Sequence, residues 1–231
     1  MPKDAKPEGR FIGRFAAEFL SGPESRGGRL VRLLEPFSYV DPFDLQWDAP
    51  SGWKVDGASI PQPLWSLVGS PFTGEYRQAS VIHDYYCDTK QRPWGGVHRV
   101  FYDAMLTSGV NGLRAKLMYA AVCWGGPRWS VETVNTHDEA LRDYLNDSRH
   151  PSGRFGQPSS RVHKPMPLEP SEEVVRSYTR TVTKTFSYPF DDDDLRSLEQ
   201  QLAASEAPAE GIEAFVDAQI QARGLTPAFS R

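Results

Sequence analysis

A histidine and an aspartate stand side by side, His83-Asp84, inside the apolar run from Val81 to Cys87. Either group is costly to bury there without a partner. Imidazole can take a proton from water near neutral pH, and a neighbouring carboxylate can orient a base or hold a cation. A second carboxylate, Asp56, opens the stretch Asp56-Gly57-Ala58-Ser59-Ile60-Pro61, whose small residues would let backbone approach a ligand closely. These residues predict one site. His83, Asp84 and Asp56 form its catalytic group, Ser59, Tyr86 and His98 bind substrate, and Asp84 and Asp56 double as ligands for a divalent cation such as calcium.

Each cluster also has a plainer reading. Asp56 and Gly57 suit a turn, and Ser59 suits a cap before Pro61. His83 and Asp84 can be a polar network bonded to backbone, and Arg99 with Asp103 a surface ion pair at i,i+4. Adjacent helical residues diverge by about 100°, so His83 and Asp84 must serve different partners. One face carries Ala79, His83 and Cys87, and the next carries Ser80, Asp84 and Asp88. If two helices form an antiparallel hairpin, His98 can approach His83 from the facing surface.

The elements that must position these groups follow from local pattern. Phe11 to Leu20 reads as a short strand or helix after a flexible arm. Strand-like stretches follow at Arg29 to Leu34, Phe37 to Val40, Leu45 to Trp47 and Trp53 to Val55, where β-branched and aromatic residues dominate. Helical spacing then takes over from Glu75 to Asp88, from Val97 to Thr107 after a Gly95-Gly96 break, and from Leu113 to Trp124. Strands before helices predict an α+β fold: a small antiparallel sheet, a three-helix unit and a polar C-terminal extension. The expected organisation is an arm and loop over 1–28, a core domain over 29–129, and a helical, loop-rich extension over 130–231. Within that extension, Glu132 to Leu145 reads as a helix and Val174 to Phe186 as a strand. Asp191 to Asp194 reads as the acidic start of a helix over Leu195 to Ala204, and Gly211 to Arg223 as a last helix. Everything after about Asn146 is expected to lie outside the core, because its Pro, Gly and Ser content and weak periodicity bury little apolar area.

Composition narrows the function classes. In 231 residues, a net charge of -4 gives no support to a nucleic-acid partner. Cys87 and Cys123 are too few for a disulfide framework and lie in apolar segments, which predicts reduced core thiols. The polar N-terminus and the lack of a long apolar run predict a protein made in the cytoplasm without a membrane span; virion association and export without a signal peptide stay open.

An ordered series of motifs resembles one family. It comprises Val55-Asp56-Gly57-Ala58-Ser59-Ile60-Pro61, Trp65, Gly69-Ser70-Pro71-Phe72, Ala79 and His83-Asp84-Tyr85. Phe101-Tyr102 with Met105, and Met118 to Val122 before Gly125, continue it. That family is the phage- and prophage-associated domain-of-unknown-function family 1353, and the resemblance implies a phage or prophage setting over about Arg29 to Trp129. Where the family pattern has a small residue followed by an acidic one on the second helix, this chain has Val97-His98. A shorter likeness concerns His83-Asp84-Tyr85-Tyr86-Cys87, which is similar to the His-Asp helix of phospholipases of the A-two class. It implies His83 as the base for water, Asp84 as a calcium ligand and loop carbonyls near Asp56 to Ser59 around the ion. Two functions stand against each other. One is a hydrolase acting on a lipid or cell-wall bond. The other is a non-enzymatic phage accessory or virion protein that meets a phage or host protein through its C-terminal extension. A third, a small-ligand site on Trp65, Trp94, Trp124 and Trp129, competes with ordinary core packing of those rings.

Overall fold

The structure, a computed structural model, describes residues 9–20, 30–56, 60–64, 74–135, 179–203 and 208–225. The chain divides into two compact units, Met1–Trp129 with Thr185–Arg231, and Ser130–Lys184.

The first unit begins with six short strands: β1 Arg10–Ile12, β2 Ala17–Phe19, β3 Val31–Leu33, β4 Phe37–Val40, β5 Gln46–Ala49 and β6 Lys54–Val55. They make two antiparallel three-stranded sheets, in the orders β1-β4-β5 and β2-β3-β6. The stretch Phe11 to Leu20, read as a short strand or helix, thus lies in two strands, one at the edge of each sheet, with Gly13 turning between them at φ +86. Alternation sets which side faces inward. Val31 and Leu33 are buried around an exposed Arg32, and Trp47 and Ala49 are buried around an exposed Asp48. The β4–β5 connection is held by Asp41. One carboxylate oxygen accepts from the Phe43 and Leu45 amides at 2.8 and 3.0 Å, and the other accepts from the Trp47 indole at 3.0 Å.

Three helices follow: α1 Arg77–Thr89, α2 Trp94–Thr107 and α3 Gly112–Gly125. Gly95 and Gly96 do not break α2 but fill its first turn. Pro93 precedes that turn with φ -56, already close to a helical value, and its carbonyl accepts from the Val97 amide at 3.1 Å. Asn111 caps α3 by accepting from the Leu113 and Arg114 amides at 3.0 and 3.5 Å. Helix α1 lies on β5 and β6, α2 packs on α1, and α3 packs on α2.

The core does not stop at Trp129. Two C-terminal helices, α4 Asp192–Ala203 and α5 Ala209–Ala222, pack on α3. Their buried residues repeat at helical spacing: Leu195, Leu198 and Leu202 on α4, and Ala209, Ile212, Val216 and Ile220 on α5. The acidic run starts α4 as expected. The Asp191 side chain accepts from the Asp193 and Asp194 amides at 3.0 Å each, and Asp194 reaches back to accept from the Asp191 amide at 3.0 Å. That is a reciprocal capping box with aspartate in the acidic role. The extension is thus not peripheral over its last two helices, because each presents an apolar stripe that α3 covers.

In the second unit, the described residues belong to β7 Arg128–Asn135 and β8 Thr179–Phe186, which pair with each other. Glu132 to Asn135 is strand, where a helix was expected; the remainder of that expected helix and the stretch Asn146 to Pro170 lie outside the described residues. No described helix is long and apolar enough to cross a membrane.

Because Ile212 is fully buried on α5, Ile212→Ala should cost about 2–5 kcal/mol in urea unfolding, as for a core position. A change below about 0.5 kcal/mol, the scale of a surface substitution, would restore the peripheral reading of the C-terminal helices.

Candidate functional site

Helix α1 turns His83 and Cys87 to one face, four residues apart, and α2 brings His98 against them from its first turns. The His83 Nε2 and His98 Nδ1 atoms are 2.9 Å apart in a hydrogen bond, and the Cys87 Sγ is 3.6 Å from the same Nε2. Among the described residues, this trio is the group of His, Cys, Asp or Glu side chains whose ligand atoms converge, all within 4.8 Å of one another. Neither Asp56 nor Asp84 belongs to it.

Aromatic rings enclose the pair. His83 stacks on Phe101 at 4.6 Å between centroids, and His98 meets the edge of Trp94 at 5.5 Å and lies 6.5 Å from Trp129. Both histidines are 0% exposed. Gly126 makes the close approach feasible, since a Cβ there would stand 2.3 Å from the Val122 carbonyl oxygen and 3.2 Å from the His98 Nε2. Burial drives the His83 pKa down from 6.5 to about 3, so the ring is neutral at ordinary pH. Among the described residues its Nδ1 has no hydrogen-bond partner. One of the two rings donates across this contact and the other accepts, and either assignment leaves one outer ring nitrogen, His83 Nδ1 or His98 Nε2, carrying a buried N–H.

The other predicted site residues fall out as follows. Asp84 is buried, 2% exposed, on the neighbouring face of α1. Asp56 is half-buried just after β6, and Ser59 lies outside the described residues. The Tyr86 hydroxyl accepts from the Asp48 amide at 3.0 Å, and its ring meets Trp47 edge-on at 4.9 Å, so it fastens α1 to β5. Arg99 and Asp103 do pair, at 3.2 Å, but with only 18% and 6% of their side chains exposed. Trp94, Trp124 and Trp129 are core residues, and Trp65 lies outside the described residues. Neither cysteine is in a disulfide and both are buried, as expected. A groove of about 400 Å³ lined by Leu113, Leu117, Glu199 and Leu202 includes none of the predicted site residues.

Two functional-looking groups were not singled out from sequence. Cys87 was read as a core thiol, although its i+4 relation to His83 is visible in the sequence. Arg128 is 1% exposed, with its guanidinium between the Trp94 and Tyr188 rings at 4.5 and 4.9 Å, and it donates to the Cys123 carbonyl at 2.6 Å. Its position beside a glycine pair and a proline gave no sign of burial.

Residues 31–122 match the family described as "Protein of unknown function (DUF1353)". The matched segment is less than half of the chain. It contains β3 to β6, α1, α2 and most of α3, and with them His83, Cys87 and His98. An uncharacterized protein of Sinorhizobium fredii, y4jT, is 48% identical over 124 residues, which is 52% of this chain and 37% of that protein. A second from the same organism, y4iH, is 45% identical over 120 residues, 52% of this chain and 48% of that protein. The chain thus spans less than half the length of these relatives. No solved structure matches.

The buried histidine predicts an acid-sensitive fold. The unfolded chain takes up a proton at His83 near pH 6.5, while the folded ring resists it down to about 3. Stability from this group is therefore complete above pH 6.5 and drains away as pH falls toward 3, at up to about 1.4 kcal/mol per unit. Urea unfolding with chelator at pH 7.5, 6 and 5 should show a wild-type slope that His83→Gln lacks. Equal slopes would remove His83 as the cause.

Proposed function

We propose that this chain is a non-enzymatic accessory protein that acts by binding another protein, and that its histidine centre serves the fold. The observation that carries this reading is the complete burial of His83. A general base must come within hydrogen-bond reach of a substrate or water proton. Here the ring stacks on Phe101 and its Nε2 is engaged by His98. Hydrolysis by His83, with Asp84 and Asp56 as calcium ligands, needs an opening of the α1–α2 contact that this packing opposes.

Two exposed aromatic side chains support a binding role: Phe43 at the β4–β5 turn, 72% exposed, and Phe19 on β2, 65% exposed. They replace the C-terminal helices as the proposed contact element, since the apolar stripes of α4 and α5 are spent on α3. The phage or prophage setting implied by the family resemblance fits a virion or accessory component. The proposed partner is accordingly a phage or host protein, met in the cytoplasm or on the virion.

His83→Gln separates the two functions. For a scaffold, the substitution disturbs a buried hydrogen bond and should lower stability by about 1–3 kcal/mol. No turnover should appear for wild type in a screen of lipid esters and cell-wall fragments with calcium or zinc. Turnover that His83→Gln abolishes without lowering the melting temperature would establish the hydrolase instead.

A further inference from the structure

From the convergence of the His83 Nε2, His98 Nδ1 and Cys87 Sγ atoms between α1 and α2, we infer that this chain binds a borderline-soft divalent cation of the zinc type there. The inference is independent of the proposed binding role, because a buried metal centre can tie two helices together without performing chemistry.

The donor distances carry the assignment. A tetrahedral zinc ion with Zn–N of about 2.0–2.1 Å and Zn–S of about 2.3 Å sets N···N near 3.3 Å and N···S near 3.6 Å. The observed N···S separation is 3.6 Å. The observed N···N separation is 2.9 Å, so the two rings need to part by about 0.4 Å to admit the ion. Two imidazoles and a thiolate select zinc over calcium, which takes carboxylate and carbonyl oxygens. The cation inferred here differs in chemistry from the calcium-type ion expected on Asp84 and Asp56 and uses a different set of side chains. The spacing is that of a short-range chelate: His83 and Cys87 one helical turn apart, and His98 across the helix pair.

Proton balance follows from the ligands. Cys87 gives up its thiol proton to solvent and binds as thiolate, while each imidazole binds neutral, His83 through Nε2 with its proton on Nδ1 and His98 through Nδ1 with its proton on Nε2. The hydrogen bond to His98 is exchanged for two metal–nitrogen bonds. Because the described residues offer the His83 Nδ1 no acceptor, the site should be weaker than a four-ligand structural zinc centre. Three protein ligands leave one position of a tetrahedral ion for a further donor.

Cobalt(II) is the direct probe, since bonding to a thiolate produces a charge-transfer absorption that nitrogen and oxygen ligands alone do not. The full chain, stripped with chelator and titrated with cobalt(II), should develop that band to a plateau at one equivalent. Zinc should then bleach it, and zinc alone should raise the melting temperature of the stripped protein. Cys87→Ser should abolish the band, whereas Cys123→Ser, which removes the other buried thiol, should retain it. Circular dichroism of each variant shows that it is folded. If Cys87→Ser fails to fold, His98→Asn serves in its place and should weaken cobalt binding at least tenfold. A folded wild-type chain with no thiolate band and no melting shift in zinc would overturn the inference. So would a band that survives Cys87→Ser and is lost in Cys123→Ser.

Discussion

Beyond its first turn, helix α3 has no face for water. From Leu117 to Trp124 every side chain is buried, and Ala115 adds to the same set. An ordinary surface helix shows an apolar stripe and a polar back; one that is apolar all round must be surrounded. Helix α2 covers one side, and α4 and α5 the others. The Tyr119 hydroxyl, at the middle of α3, donates to Glu213 on α5, and its pKa is pushed up chiefly by burial. The Trp124 ring receives the Arg223 guanidinium at 4.9 Å, and Arg223 pairs in turn with Asp194 at the start of α4. The C-terminal helices are thus required by the middle of the chain, even though the family segment ends at residue 122.

This requirement was legible in part. Strands β3 to β6, the first three helices, the acidic start of α4 and the two thiols follow from periodicity, turn residues and composition. The burial boundary at Trp129 did not follow, because loss of periodicity after that residue hid two later stripes, Leu195-Leu198-Leu202 and Ile212-Val216-Ile220. The unbroken apolarity of Leu117 to Trp124 was the available signal that a hairpin partner alone could not satisfy α3. Gly95 and Gly96 misled for a local reason. Glycine weakens helix interiors, yet in a first turn the amides have no helical partner to lose.

The candidate site was legible as a meeting of α1 with α2 but not as a set of ligands. The i,i+4 rule placed His83 and Cys87 together, and a hairpin placed His98 opposite; both hold in the geometry. Attention to carboxylates drew Asp84 and Asp56 into the expected site, whereas the side chains whose donor atoms converge are His83, Cys87 and His98. A residue type can advertise chemistry from the sequence. Which neighbours share its face is decided by packing, and here Phe101 and Trp94 pack around the two histidines that meet between α1 and α2.

Arg128 bears on how chains of this kind can diverge. Its guanidinium lies against Tyr188, so the point where the chain leaves the first unit and the point where it returns are neighbours. Everything between them closes a loop whose ends are already pinned. Doubling the length of such a loop costs only about 0.6 kcal/mol in closure entropy. The stretch from Ser130 to Lys184 can therefore be lengthened, shortened or exchanged as a cassette while α3 stays covered. Relatives could differ widely in size and attachments through that one doorway and still share the same interior.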